Sequence, residues 1–262
     1  MKRVSVLLIV VAMTLGLTAC DRGVNPADKT ELIVFAAASM TETLTAIETK
    51  YEAAHEDIDL VFTFDSSGTL KTQIEEGVSC DVFISAAPKQ MNQLEELNLV
   101  LLDSRADLLE NKVALCVAEG NPADIHSYDE LAAALQAGTV LLAVGNSDVP
   151  VGQYTQKIFA YYGIDEAAVA DKLTYGSNVK DVTTAVTEAA ADCGIIYATD
   201  AFSAGLTPVD TATAEMCGQV IYPAAVLNTS AHQEEARAFL DYLTREEAAT
   251  IFEAVGFTTL GK

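Results

Sequence analysis

The chain has 262 residues, half of them apolar, and its 15 Lys and Arg stand against 38 Asp and Glu for a formal net charge of −23. That balance excludes nucleic acid as a partner, since no cluster of Lys and Arg exists to neutralise phosphates, and it opposes attraction to anionic lipid. A half-apolar composition marks a globular chain, long enough for one large or two smaller cores.

The first element is a leader. Lys2 and Arg3 precede an apolar run over 4–17 that closes on Leu17-Thr18-Ala19-Cys20. The run is shorter than the ~20 apolar residues that cross a bilayer, so 1–19 reads as a secretory signal peptide outside the fold. Its ending resembles the bacterial lipobox, which implies cleavage before Cys20 and acylation of that cysteine. Residues 20–30 carry Gly, Pro and charge without apolar periodicity and read as the tether from membrane to domain. The expected localisation is extracytoplasmic, lipid-anchored to the cell membrane through Cys20.

From residue 31 onward, apolar runs alternate with amphipathic stretches, the pattern of βαβ units and of α/β folds with mainly parallel sheets. Strands are predicted at 32–37, 60–64, 82–85, 112–117, 141–144, 194–197 and 220–227. Helices are predicted at 40–55, 69–76, 89–97, 127–135, 152–162, 179–191 and 233–254. Cys80, Cys116, Cys193 and Cys217 have no metal-site spacing and are expected to be structural, either paired in up to two disulfides or buried.

Four strand ends run straight into small or polar residues that open a helix: Ala37-Ala38-Ser39-Met40, Asp65-Ser66-Ser67-Gly68, Val149-Pro150-Val151-Gly152 and Gly176-Ser177-Asn178-Val179. Each leaves unpaired N–H groups at the positive end of a helix dipole, and in an open α/β sheet such junctions gather at the carboxyl edge of the strands. Together they would hold a compact dianion without any cation. Taken singly, Ser39, Ser67 and Asn178 serve equally as N-caps, Val151 and Val179 offer only backbone amides, and Tyr197 is by default a core aromatic with a partnered hydroxyl.

The ordered series Val34-Phe35-Ala36-Ala37-Ala38-Ser39-Met40-Thr41, Ser66-Ser67-Gly68-Thr69-Leu70, Asp81-Val82-Phe83-Ile84-Ser85-Ala86, Pro150-Val151-Gly152-Gln153-Tyr154, Gly194-Ile195-Ile196-Tyr197 and Tyr222-Pro223-Ala224-Ala225-Val226 resembles the periplasmic molybdate-binding proteins of ABC importers. The resemblance spans 32–257. It implies a two-lobed periplasmic binding protein of type II, with lobe one at 31–111 and 223–262, lobe two at 112–222, and crossings near Lys112 and Tyr222. It implies a monomer that binds molybdate or tungstate and delivers it to an ABC importer permease, with no cofactor and no free metal cation. The implied oxyanion ligands are Ser39 and Ser67 by hydroxyl and N–H, Val151 and Val179 by N–H, and Tyr197 by hydroxyl. Asp65, a carboxylate where a small neutral residue is expected, is taken to point outward.

An enzyme finds little support: no Gly-x-Ser-x-Gly or His-Glu-x-x-His occurs, and His55, His126 and His232 lie away from every junction. The remaining alternatives are a binding protein whose cargo is another tetrahedral oxyanion such as sulfate or phosphate, another metal oxyanion or an organic acid, and a solute receptor for a membrane sensor.

Overall fold

The computed structural model describes residues 29–260. The signal peptide and Cys20 lie outside the described residues, as does the tether up to residue 28. Thr30, counted in the expected tether, is already in the first strand, paired with Ile58.

The chain opens with β1 (Thr30–Ala37), α1 (Thr41–Ala54), β2 (Ile58–Asp65), α2 (Ser67–Glu75), β3 (Val82–Ile84), α3 (Pro88–Glu96) and β4 (Ala106–Asn111). A second group follows: β5 (Val113–Val117), α4 (Tyr128–Gln136), β6 (Leu142–Gly145), α5 (Pro150–Tyr162), β7 (Leu173–Gly176), α6 (Val179–Thr187), β8 (Cys193–Tyr197), α7 (Ala198–Ser203), β9 (Asp210–Thr211) and α8 (Ala214–Cys217). The chain then returns through β10 (Val220–Val226), α9 (Gln233–Leu243), α10 (Glu246–Ala254) and β11 (Thr258–Thr259).

Two sheets result, ordered β11-β4-β10-β3-β1-β2 and β7-β6-β8-β5-β9. Alternate residues of β1 supply the two faces of the first sheet: Leu32, Val34 and Ala36 pack under α1, α9 and α10, while Phe35 joins Leu70, Phe83, Met91 and Leu94 under α2 and α3. A strand buried on both faces must be apolar throughout, which is why β1 reads as one continuous run.

Both sheets are mixed rather than mainly parallel. The βαβ units keep β1, β2 and β3 parallel, and likewise β6, β7 and β8. The strands next to the crossings, β4, β5 and β10, make only antiparallel pairs, because there the chain turns back along a neighbour.

The outward crossing is the single residue Lys112, between β4 and β5. On the return, Gly218 and Gln219 separate α8 from β10, whose first residue, Val220, pairs with Asn111. The two crossings therefore lie side by side, and Tyr222 stands inside the first sheet rather than at the crossing expected near it. The helix expected over 233–254 is two helices, broken where Arg245 adopts extended backbone (φ −83°, ψ 160°) as the N-cap of α10. Cys80, Cys116, Cys193 and Cys217 are free and buried. Among the described residues no helix is long and apolar enough to cross a membrane.

Candidate functional site

The four junctions differ in who caps the helix. At the end of β1, Ala38 to Met40 form one 3-10 turn before α1, and Ser39 lies inside that turn without capping anything. At α2 the cap is Ser66, whose Oγ accepts the Thr69 N–H at 3.1 Å and stands 2.9 Å from Thr69 Oγ1. Ser67, the first helical residue, is fully buried, and its Oγ accepts the Ala86 N–H at 2.9 Å. A hydroxyl whose oxygen already accepts still has its proton to donate, so Ser67 is pre-set as a donor.

In the second sheet, Pro150 starts α5, where its missing N–H costs nothing. Gly152 is required next, since a Cβ there would fall 2.1 Å from the Asn146 carbonyl oxygen. Asn178 caps α6 by accepting the N–H groups of Lys180 at 2.9 Å and Asp181 at 3.1 Å, which leaves that of Val179 uncapped. Tyr197 ends β8. Its side chain is buried, its hydroxyl has no partner in hydrogen-bond geometry, and burial, helped by the nearby Tyr222 hydroxyl, holds its pKa well above the usual phenol value, so it stays a neutral donor.

These groups meet in one small cavity of about 10 Å³ between the two sheets. The first lobe lines it with Ala37 to Ser39, Asp65 to Ser67 and Ala86, the second with Val149, Pro150, Val179 and Tyr197. No Lys or Arg is among them, so the donors offered to any anion held here are hydroxyls and N–H groups. Ser39, Ser67, Val179 and Tyr197 are thus brought together as lining residues. Val151 is not one of them: it sits one residue further along α5, its side chain fully buried, and can reach the cavity only by its first-turn N–H.

Asp65 corrects an expectation, because it lines the cavity instead of pointing outward. Its Oδ1 accepts from the Ser66 N–H at 2.6 Å and from the Asn178 amide of the opposite lobe at 3.5 Å. Other contacts join the lobes around the same cavity. Lys180, next to Val179, bonds Glu42 of α1 at 2.8 Å, and the Gln90 amide reaches the Asp148 carbonyl at 3.5 Å. Gly68 admits the second lobe most closely: a Cβ on it would lie 2.3 Å from the Asp148 carbonyl oxygen.

Sequence reasoning missed Ser66, whose place three residues before Thr69 is the available capping signal, and Tyr222, whose hydroxyl lies 2.9 Å from Ser39 Oγ. It also missed Glu42 and Lys180, which read as ordinary helix-surface charges. The histidines stay away from the cavity: His55 bonds the Tyr51 carbonyl, His126 the Asp124 carboxylate, and His232 precedes α9. Among the described residues no cluster of His, Cys, Asp and Glu could hold a cation.

Residues 32–258 match the family described as bacterial extracellular solute-binding protein. A Bacillus subtilis chain provisionally named an ABC transporter substrate-binding lipoprotein is 30% identical over 261 residues, 98% of each chain. A molybdate-binding protein of Haemophilus influenzae is 31% identical over 241 residues, covering 90% of this chain and 93% of that one. Among solved structures, the periplasmic molybdate-binding protein of Azotobacter vinelandii superposes with a TM-score of 0.78 at 21% identity, over 88% of this chain and 100% of that one.

Proposed function

Because this chain belongs to the bacterial extracellular solute-binding protein family, we propose that its interlobe cavity is the site where it captures molybdate or tungstate for an ABC importer. The oxyanion is cargo, handed to the importer's permease, and no cofactor takes part. The single observation that carries the site is the buried Tyr197 hydroxyl, left without a partner in a small cavity free of cationic side chains. Such a group costs stability unless a ligand meets it.

In this reading Ser39 and Ser67 donate from the first lobe, and Tyr197 with the N–H groups of Val151 and Val179 donates from the second. The lobes close on the anion about the paired crossings, and the closed form docks on the permease. No chemistry is done on the cargo, which is taken up and released unchanged. Acylated Cys20 holds the monomer at the extracytoplasmic face of the membrane.

Selectivity follows from donor chemistry and size. Hydrogen phosphate brings a proton that needs an acceptor, and burying it unpaired costs roughly 1–3 kcal/mol. Sulfate has no such proton and is excluded by its shorter bonds, which cannot reach every donor of a packed cavity at once. A second reading has one observation in its favour: the Asp65 carboxylate on the cavity wall is an acceptor that suits a protonated oxyanion such as phosphate.

Titration calorimetry of the purified protein with molybdate, tungstate, sulfate, phosphate and perchlorate separates these readings. The expected result is one anion bound per chain for molybdate and tungstate alone. Heat from phosphate or sulfate instead moves the cargo and directs attention to Asp65, while silence with every oxyanion rejects the site.

A further inference from the structure

Tyr222 is fully buried in β10, its ring edge-on to that of Tyr197 with centroids 5.8 Å apart. Its hydroxyl has two partners in hydrogen-bond geometry, Ser39 Oγ at 2.9 Å and Asn111 Nδ2 at 3.2 Å, while the Tyr197 hydroxyl lies nearby outside that geometry. Asn111 is buried at the end of β4, the last residue before the chain leaves the first lobe. The Lys112 N–H donates to Asn111 Oδ1 at 2.8 Å, and only the oxygen end of the amide can receive it. That contact settles which way the amide faces. Its two N–H groups therefore point at Thr199 Oγ1, 2.9 Å away in the second lobe, and at Tyr222.

The direction of the remaining protons follows. The Tyr222 oxygen receives Asn111, and its own proton has Ser39 Oγ as the acceptor within reach. Buried donors are paired wherever a partner exists, so Tyr222 donates to Ser39. The Ser39 oxygen is then an acceptor toward the protein, and its proton turns to the cavity that Ser39 lines. The effect parallels that of Ala86 on Ser67, but here the donor is a side chain of β10, the strand that follows the return crossing.

We infer that Tyr222 and Asn111 are positioning residues for anion capture: the relay from Asn111 through Tyr222 holds the Ser39 hydroxyl as a donor aimed at the anion and anchors it to both strands flanking the hinge. Through Thr199 the same amide also reaches the second lobe, just beyond Tyr197. This inference rests on the reading of the cavity as an oxyanion site.

The test is a double-mutant cycle read by molybdate titration. Tyr222→Phe keeps the ring and removes the relay, and it is expected to weaken binding about tenfold in a chain that retains Ser39. In a Ser39→Ala background the same change is expected to alter affinity by less than about twofold, because no hydroxyl remains to be aimed. Thermal unfolding without ligand checks that each variant is folded. Asn111→Asp is the second variant: it accepts from Tyr222 and cannot donate to it, so the relay reverses, and its loss is likewise expected to shrink in the Ser39→Ala background. Equal losses in the two backgrounds, or no loss with Ser39 present, would overturn the relay while leaving the site intact. Wild-type protein that takes no molybdate would remove the site and the relay together.

Discussion

At the scale of single residues, three hydroxyls line the cavity, and deleting that of Ser67 also leaves the Ala86 N–H without its acceptor. Ser39→Ala, Ser67→Ala and Tyr197→Phe are each expected to weaken molybdate binding by roughly 10- to 100-fold, the worth of a hydrogen bond to a charged group. Tyr197→Phe should also leave the unliganded protein at least as stable, because it removes an unpaired buried hydroxyl. Calorimetric titration beside thermal unfolding checks both statements, and a variant that loses stability but not affinity would assign its hydroxyl to the fold. Asp200 on α7 makes a separate prediction. It is fully buried, and burial pushes its carboxyl up from 3.8 to about 6, against the pull of Lys180 Nζ at 3.1 Å, with Glu42 beyond that amine and neither oxygen in hydrogen-bond geometry. The folded state thus binds this proton more tightly than the unfolded chain. Its contribution to stability falls as pH rises through that window, and the full cost of about 3 kcal/mol stands above it. Asp200→Asn removes the charge, so its stability advantage over wild type in urea unfolding should grow from pH 4 to 6 and then level off. An advantage independent of pH would contradict the assignment. Ser39 and Ser67 were legible as residues because each follows a strand end directly. Tyr222 was not, since it lies in an apolar run and its partner Ser39 is 183 positions away.

At the scale of elements, the junction between β2 and α2 carries the sharpest test. Gly68 stands in the first turn of α2 against the Asp148 carbonyl of the opposite lobe. Gly68→Ala favours the helix by up to about 1 kcal/mol but places a methyl group where the lobes must meet. The unliganded melting temperature is expected to hold or rise while molybdate affinity falls at least about tenfold, and small-angle scattering with ligand should retain the larger radius of the open form. Loss of melting temperature and affinity together would make Gly68 a structural glycine only. Long elements were legible where periodicity and flanking signals agreed: Pro150 starts α5 and Gly163, in left-handed backbone at φ 65°, ends it. Others were hidden for physical reasons. In β4, Asp107 and Glu110 interrupt the apolar pattern, and β7 is an edge strand with Thr174 and Tyr175 exposed. The break between α9 and α10 has no Gly or Pro to announce it and is made by backbone conformation at Arg245. The helix starts were found, but which residue caps and which is left to bind is a matter of one position: Ser66 caps, and Ser67 is released.

At the scale of the molecule, the insertion of one sheet's strands between two crossings sets a cavity between two sheets, with no Lys or Arg lining that cavity and no metal-site cluster or disulfide among the described residues. The two-lobed plan was legible through the ordered motifs, because alternating runs alone cannot tell one sheet from two. The mixed sheets were not, since strand direction depends on where the chain re-enters, a fact carried by the Asn111 to Val220 pairing and by no local pattern. Donors from both lobes converge on one cavity, and the central claim is that they hold a single tetrahedral oxyanion there. The most direct measurement is a crystal structure grown with molybdate and read by anomalous scattering from molybdenum. The account predicts one peak per chain in that cavity, with its oxygens within about 3 Å of Ser39 Oγ, Ser67 Oγ, Tyr197 OH and the N–H groups of Val151 and Val179. A peak elsewhere, or a well-ordered closed cavity holding water alone, would contradict it.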